Sequence, residues 1–187
     1  MRLFLAADFR PPVFDAVLQA RDVLKWRAGP GFQWSRAEQA HLTLRYLGEV
    51  PDGTVAPLTG AVARAVFPLA PFPLRISGYG AFPDPQHAKV AWLGMEEASP
   101  AGGLPGLLAA LDASLQPFLS RREEKPFVAH LSLARHSGAG ADLVQAFLGT
   151  AKPPASEHLL AGVCLFRSDR GPAGTRHTRL AEAPLEG

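Results

Sequence analysis

The chain has 187 residues, 47% of them hydrophobic and 19% charged, with a net charge of +2. That size and apolar content suit one globular domain over residues 1–187, exclude intrinsic disorder, and need no metal or disulfide staple for folding. The small net charge argues against a polybasic nucleic-acid clamp and leaves room for a local cluster around one phosphate.

Eighteen Gly and eighteen Pro favour many short elements joined by tight turns. Residues 2–7 predict an opening strand, and Pro11 and Pro12 start a helix to about Arg27, with Val13, Val17, Ala20 and Leu24 at helical spacing. A short extended piece at 32–35 leads to a strand at 41–47, where Leu42, Leu44 and Tyr46 alternate with His41, Thr43 and Arg45 until Gly48 ends it. Asp52 or Thr54 caps a second helix to about Phe67. Strands near 74–78 and 89–94 follow, with Gly78-Tyr79-Gly80 read as a turn, since it lacks the Lys-Ser/Thr of a P-loop.

The second half repeats this order. A helix spans about 105–119, with Leu107, Leu108, Leu111 and Leu115 on one side. After the charged turn 121–125 comes a strand at 127–134, then a short helix near 141–148, strands at 159–166 and 176–181, and a loose tail from Glu182. The single cysteine, Cys164, lies in an apolar run and reads as a buried thiol; it rules out an intrachain disulfide and suits a reducing, cytoplasmic setting. No run of eighteen uncharged apolar residues predicts a membrane span, and the N-terminal apolar run is too short for a signal-peptide core.

The informative feature is an internal echo. His41-Leu42-Thr43-Leu44 and His130-Leu131-Ser132-Leu133 differ by one Thr/Ser exchange, and each falls on a strand that follows a helix. Alternation sends both leucines of each motif into a core and projects its imidazole and hydroxyl, about 7 Å apart, to the other face. Facing across a groove, two such strands would offer two imidazoles and two hydroxyls to one small ligand. That set suits a phosphodiester: one histidine takes a proton from water, the other gives one to the leaving oxygen, and the hydroxyls donate to phosphate oxygens. A lone histidine on a strand is more often structural, and it is the matched pair that points to chemistry. A paired-histidine metal site lacks a completing carboxylate or third histidine on either strand, His136 being the nearest extra imidazole.

At these residues the chain resembles the two-histidine phosphoesterases, specifically the RNA 2′,3′-cyclic phosphodiesterases once called 2′–5′ RNA ligases. The resemblance runs through RLFLAADF, Trp34, HLTLRYLG, GYGAFP at 78–83, VAWLG at 90–94, PFVAHLSLAR at 126–135 and LFRS at 165–168, with Gly174 and Leu180 beyond. It departs at Ser132, where Thr is usual, at Ala129, where Pro is frequent, and at His177, where Tyr is common.

The resemblance implies roles. His41 protonates the departing 3′ oxygen, His130 activates water, and Thr43 and Ser132 hold phosphate oxygens. Arg135 reaches the phosphate only if a bulge or strand end turns it from the opposite face. Arg45 shares the His41 face by strict alternation, and Trp34 and Phe82 are candidates for base stacking, with core packing as the plainer alternative. The fold implied is α+β and two-lobed, with duplicated antiparallel-rich sheets backed by helices around a central groove. The expected activity is metal-independent, cofactor-free hydrolysis of RNA or nucleotide 2′,3′-cyclic phosphate ends to 2′-phosphomonoesters, with reverse ligation as a side activity, in a monomer that contacts no membrane. The alternative is an RNA-end binding protein of the same fold without turnover.

Overall fold

The computed structural model describes all residues except 10–12, 37–38, 99–101, 120–125, 151, 154–155 and 172–173. The helix start at Pro11 and Pro12 and the charged turn at 121–125 therefore lie outside the described residues.

Nine strands form one antiparallel sheet among the described residues. In chain order they are β1 (Arg2–Asp8), β2 (Phe32–Trp34), β3 (His41–Glu49), β4 (Phe72–Phe82), β5 (Val90–Glu97), β6 (His130–His136), β7 (Glu157–Leu160), β8 (Gly162–Gly171) and β9 (Gly174–Pro184). The spatial order is β7-β4-β5-β6-β3-β1-β8-β9, with β2 added to β6. β3 and β6 share a single residue pair, Leu42 with Leu131, so the sheet divides there into two halves of four main strands. This is the two-lobed α+β architecture expected from the paired motifs.

Among the described residues four α-helices back the sheet: α1 (Val13–Lys25), α2 (Val55–Val66), α3 (Gly103–Leu115) and α4 (Val144–Leu148). α1 buries Val13, Ala16, Val17, Ala20 and Leu24, the stripe that helical spacing dictates. Although α1 follows β1, it lies under the other half, where the Tyr79 hydroxyl of β4 donates to the Ala20 carbonyl at 3.4 Å. Tyr79 also stacks on Phe147 of α4. α3 likewise crosses: it follows β5, packs on α2, and is tied to β3 by Arg45 and Asp112, while α2 lies against β8 and β9. The helix exchange thus repeats in both directions, as a duplicated unit requires. Leu107, Leu111 and Leu115 of α3 are fully buried, each contributing about 2 kcal/mol by removal from water. The Glu97 carboxylate accepts from the Gly103 and Leu104 amides, at 3.1 and 2.6 Å, and satisfies the helix's first orphan donors. Pro105 is accommodated in that first turn, two residues into the helix.

Three expectations need correction. Gly78-Tyr79-Gly80 is not a turn but part of β4, with no positive φ at either glycine. Its glycine is needed for close approach: a Cβ on Gly80 would lie 2.1 Å from the Trp92 ring, which occupies that position. The tail is not loose either. β9 runs to Pro184, Leu185 is buried, and the Glu186 and Gly187 amides donate to the carbonyls of Phe67 and Leu69 at 3.1 Å. The apolar run expected as one strand at 159–166 is split into β7 and β8. Among the described residues no helix is long and apolar enough to cross a membrane.

Candidate active site

β3 and β6 lie side by side at the centre of the sheet, so the two motifs meet where the halves join. The antiparallel pair Leu42–Leu131, carried one step either way, sets His41 opposite Ser132 and Thr43 opposite His130. Leu42, Leu44, Leu131 and Leu133 are buried, while the four polar residues between and beside them stay partly open on the other face. Period-two alternation alone builds this quartet.

The two imidazoles are held alike. His41 Nδ1 lies 2.8 Å from the Gln39 carbonyl, and His130 Nδ1 lies 2.7 Å from the Val128 carbonyl, two residues upstream in each case. A carbonyl can only accept, so each Nδ1 carries the proton and donates it. Nε2 is left as the atom available for proton transfer in both rings. Each ring also packs on aromatic neighbours. His41 sits 5.0 Å from Phe4 and 5.1 Å from His177, centroid to centroid. His130 sits edge-on to Phe82 at 4.9 Å and 5.9 Å from Trp92. Beneath His41, the buried residues Phe4, Ala6, Cys164 and Phe166 form a small cluster of their own, separate from the main core.

This apolar floor sets the electrostatics. Burial pushes the His41 pKa down from 6.5 to about 4, opposed by the Gln39 hydrogen bond and by Asp8 and reinforced by His177 and His130. Burial also lowers His130, against its Val128 hydrogen bond, and the Arg135 charge lowers it further. Burial therefore holds both rings towards the neutral form near pH 7.

Arg135 reaches this face because β6 carries a bulge. Trp92 pairs with Ser132 and Ala91 with Ala134, so Leu133 is an extra residue, and the side-chain parity flips beyond it. Leu133 and Ala134 are both buried in succession, and Arg135 emerges exposed, its charge acting on both His130 and His177. The same device removes Arg45, contrary to strict alternation. A bulge at Leu44 turns Arg45 away, into a two-pronged ion pair with Asp112 at 2.5 and 2.7 Å. Trp34 packs against the main core, so it takes the plainer of its two readings, whereas Phe82 flanks His130.

Alternation in β1, β5 and β9 also brings Phe4, Trp92 and His177 to this face; of the three, the sequence marks His177 alone, as a departure from the family pattern. Tyr46, exposed and 6.0 Å from Phe4, takes the groove-side place expected for Arg45. Among the described residues no three His, Cys, Asp or Glu side chains gather as a metal-binding set.

Like halves that each hand one imidazole to a shared groove place the chain among two-histidine phosphoesterases, and comparison with known proteins agrees. A family model described as LigT like Phosphoesterase matches residues 9–92. The chain is 29% identical over 183 residues to an RNA 2′,3′-cyclic phosphodiesterase of Methanothermobacter thermautotrophicus, covering 95% of each chain. It is 33% identical over 136 residues to that of Archaeoglobus fulgidus, covering 72% of each. Among solved structures, TT0787 of Thermus thermophilus superposes with a TM-score of 0.81 at 27% identity, over 100% of this chain and 99% of that one. Escherichia coli LigT complexed with 3′-AMP superposes with a TM-score of 0.78 at 25% identity, over 100% and 98%. The chain belongs to the LigT-like phosphoesterase family.

Proposed function

We propose that this phosphoesterase hydrolyses 2′,3′-cyclic phosphate ends of RNA or nucleotides to 2′-phosphomonoesters, without a metal. The observation that carries the reading is the matched tethering of His41 and His130, each with Nδ1 donated to the carbonyl two residues upstream and Nε2 left for proton transfer. The relatives named as RNA 2′,3′-cyclic phosphodiesterases and the LigT complex with 3′-AMP support the substrate class.

In this mechanism the His130 Nε2 takes a proton from water as the water oxygen attacks phosphorus. The bond from phosphorus to the 3′ oxygen breaks, and His41, protonated on Nε2, gives that oxygen its proton. The phosphate stays on the 2′ oxygen. Thr43 and Ser132 donate to the non-bridging oxygens, and Arg135 supplies the countercharge. Burial disfavours the imidazolium that His41 must become, and the bound anion offsets this by bringing negative charge to the groove. Ligation is the same transfer with another nucleophile: a 5′ hydroxyl in place of water gives its proton to His130 and attacks phosphorus, the bond to the 3′ oxygen breaks with a proton from His41, and a 2′–5′ linkage results. Both motifs come from one chain, so a cytoplasmic monomer completes the groove unaided.

The test is incubation with a short oligonucleotide ending in a 2′,3′-cyclic phosphate, with the product position read by ³¹P NMR. A 2′-phosphomonoester is expected. Tight binding without turnover would favour instead an RNA-end binding protein that has kept the groove.

A further inference from the structure

The groove holds a third imidazole, that of His177, for which the two-histidine reaction has no task. It stands on β9 and meets two rings nearly at right angles: Phe4 at 4.9 Å and His41 at 5.1 Å, both at an interplanar angle of 79°. Its Nδ1 is buried and has no hydrogen-bond partner among the described residues. A buried polar atom left unmatched calls for a partner that arrives from outside the fold.

The groups around His177 say what that partner would be. From β6 the Arg135 charge acts on it across the join between the lobes, and from β3 it faces His41. From β1 it meets the neutral ring of Phe4, and its register partner on β8 is Ser168. On its own strand the next residue of the same face, Arg179, is engaged by Asp8 and Glu182. Among the described residues no carboxylate acts on the ring, which feels the Arg135 charge and meets the His41 imidazole edge to face.

We propose that His177 is a tetrahedral-anion ligand of the groove, neutral while the groove is empty and protonated when an anion lies between it and Arg135. This rests on the proposed reading of the site and deepens it. A guanidinium and an imidazolium facing each other repel until a phosphate separates them, and burial and Arg135 both hold the free ring below its ordinary value. The cyclic diester carries one negative charge, while the phosphomonoester product approaches two. A protonated His177 therefore favours the product over the substrate, product binding takes up a proton, and product release slows as pH falls.

Inorganic sulfate is a suitable probe, being a tetrahedral dianion that does not itself titrate in this range. Site-resolved histidine NMR between pH 4 and 8, with the His177 signal assigned by its loss in His177→Phe, should show its midpoint rising by about one unit or more on saturation. By linkage the full-length protein then gains about tenfold in sulfate affinity towards acid pH from this ring alone, and His177→Phe lacks that increment. Sulfate that shifts the His41 and His130 signals but leaves the His177 midpoint in place overturns the inference, as does absence of sulfate binding. If His177→Phe fails to fold, His177→Gln gives the assignment and the wild-type midpoint still decides. Turnover of a cyclic-phosphate oligonucleotide with an unmoved His177 midpoint sinks this inference alone. A shifted midpoint without turnover sinks the proposed reaction and leaves the anion site.

Discussion

Leu44 and Leu133 are the same residue of the duplicated unit: each is the extra residue of a β-bulge, three positions beyond its histidine. Each bulge flips side-chain parity, so the next residue, Arg45 or Ala134, turns from the groove, and the one after, Tyr46 or Arg135, turns into it. One backbone device thus gives the groove a phenol on one side and a guanidinium on the other. It also separates the two arginines that follow the motifs into different trades, an anchor between β3 and α3 and an exposed charge acting on His130.

The first expected outcome follows from that separation. Arg135→Ala removes a charged donor to the phosphate, worth roughly 1.5–3 kcal/mol, and should lower kcat/KM about tenfold to a hundredfold with little change in melting temperature. Arg45→Ala should leave kcat/KM near wild type and cost up to about 1 kcal/mol of stability, the scale of a partly exposed pair with Asp112. Steady-state kinetics and urea unfolding on both variants check this, and the reverse pattern would return Arg45 to the groove.

What the sequence made legible was set by period two. The alternation at 41–44 and 130–133 put four polar side chains on one face, and the structure keeps that arrangement. Bulges defeat the same rule, because an extra residue leaves no mark in a hydrophobic pattern: Leu133 and Ala134 are both apolar, so the flip that frees Arg135 is silent. Glycine misled in a similar way. Gly80 reads as a turn in isolation, and only the Trp92 ring lying on it from the neighbouring strand explains its place in β4. The tail looked solvent-bound for lack of a pattern, yet its backbone pairs with loop carbonyls at Phe67 and Leu69, contacts that no local signal encodes.

Removing either hydroxyl should weaken phosphate positioning. Thr43→Ala and Ser132→Ala are each expected to cost roughly 1–3 kcal/mol of transition-state binding, the scale of a hydrogen bond to a charged group. Ser132→Thr keeps the donor and should be nearly neutral. Wild-type efficiency in both alanine variants would mean that these side chains do not face the phosphate.

Chelation should leave the reaction untouched. Two tethered imidazoles describe proton transfer, and the described residues gather no metal-binding set around them. Turnover after exhaustive EDTA treatment and desalting is expected to equal that of untreated protein. Loss of activity restored by one divalent cation would replace this mechanism with a Lewis-acid one.

His41 also ties stability to pH. Its folded pKa of about 4 lies below the ordinary 6.5, so the unfolded chain binds the proton more readily. The contribution is fully present above pH 6.5 and is lost as pH falls towards 4, amounting to at most about 3 kcal/mol and less to the extent that solvent reaches the ring. His130, His158 and His177 are lowered too and act in the same direction. Urea midpoints at pH 7 and pH 4.5 should fall more for wild type than for His41→Gln. Equal falls would show that His41 is not buried enough to matter.

The roles of the two histidines are separable even though their titrations are coupled. An acid must be protonated and a base must not, so the rate rises and then falls with pH, and the limbs belong to the pair. His41→Ala deletes the donor and should abolish the high-pH fall, while His130→Ala deletes the base and should abolish the low-pH rise. Because the free His41 titrates near 4, few free molecules hold its proton at neutral pH. Bound phosphate raises that pKa, so the alkaline limb of kcat should lie at higher pH than that of kcat/KM. A chemical test is independent of pH. When the leaving 3′ oxygen is replaced by a much better leaving group, protonation matters little, and the His41→Ala variant should be partly rescued while His130→Ala stays impaired. Rescue of His130→Ala alone, or of both variants equally, would reverse or dissolve the assignment of acid and base and leave the two-histidine groove in place.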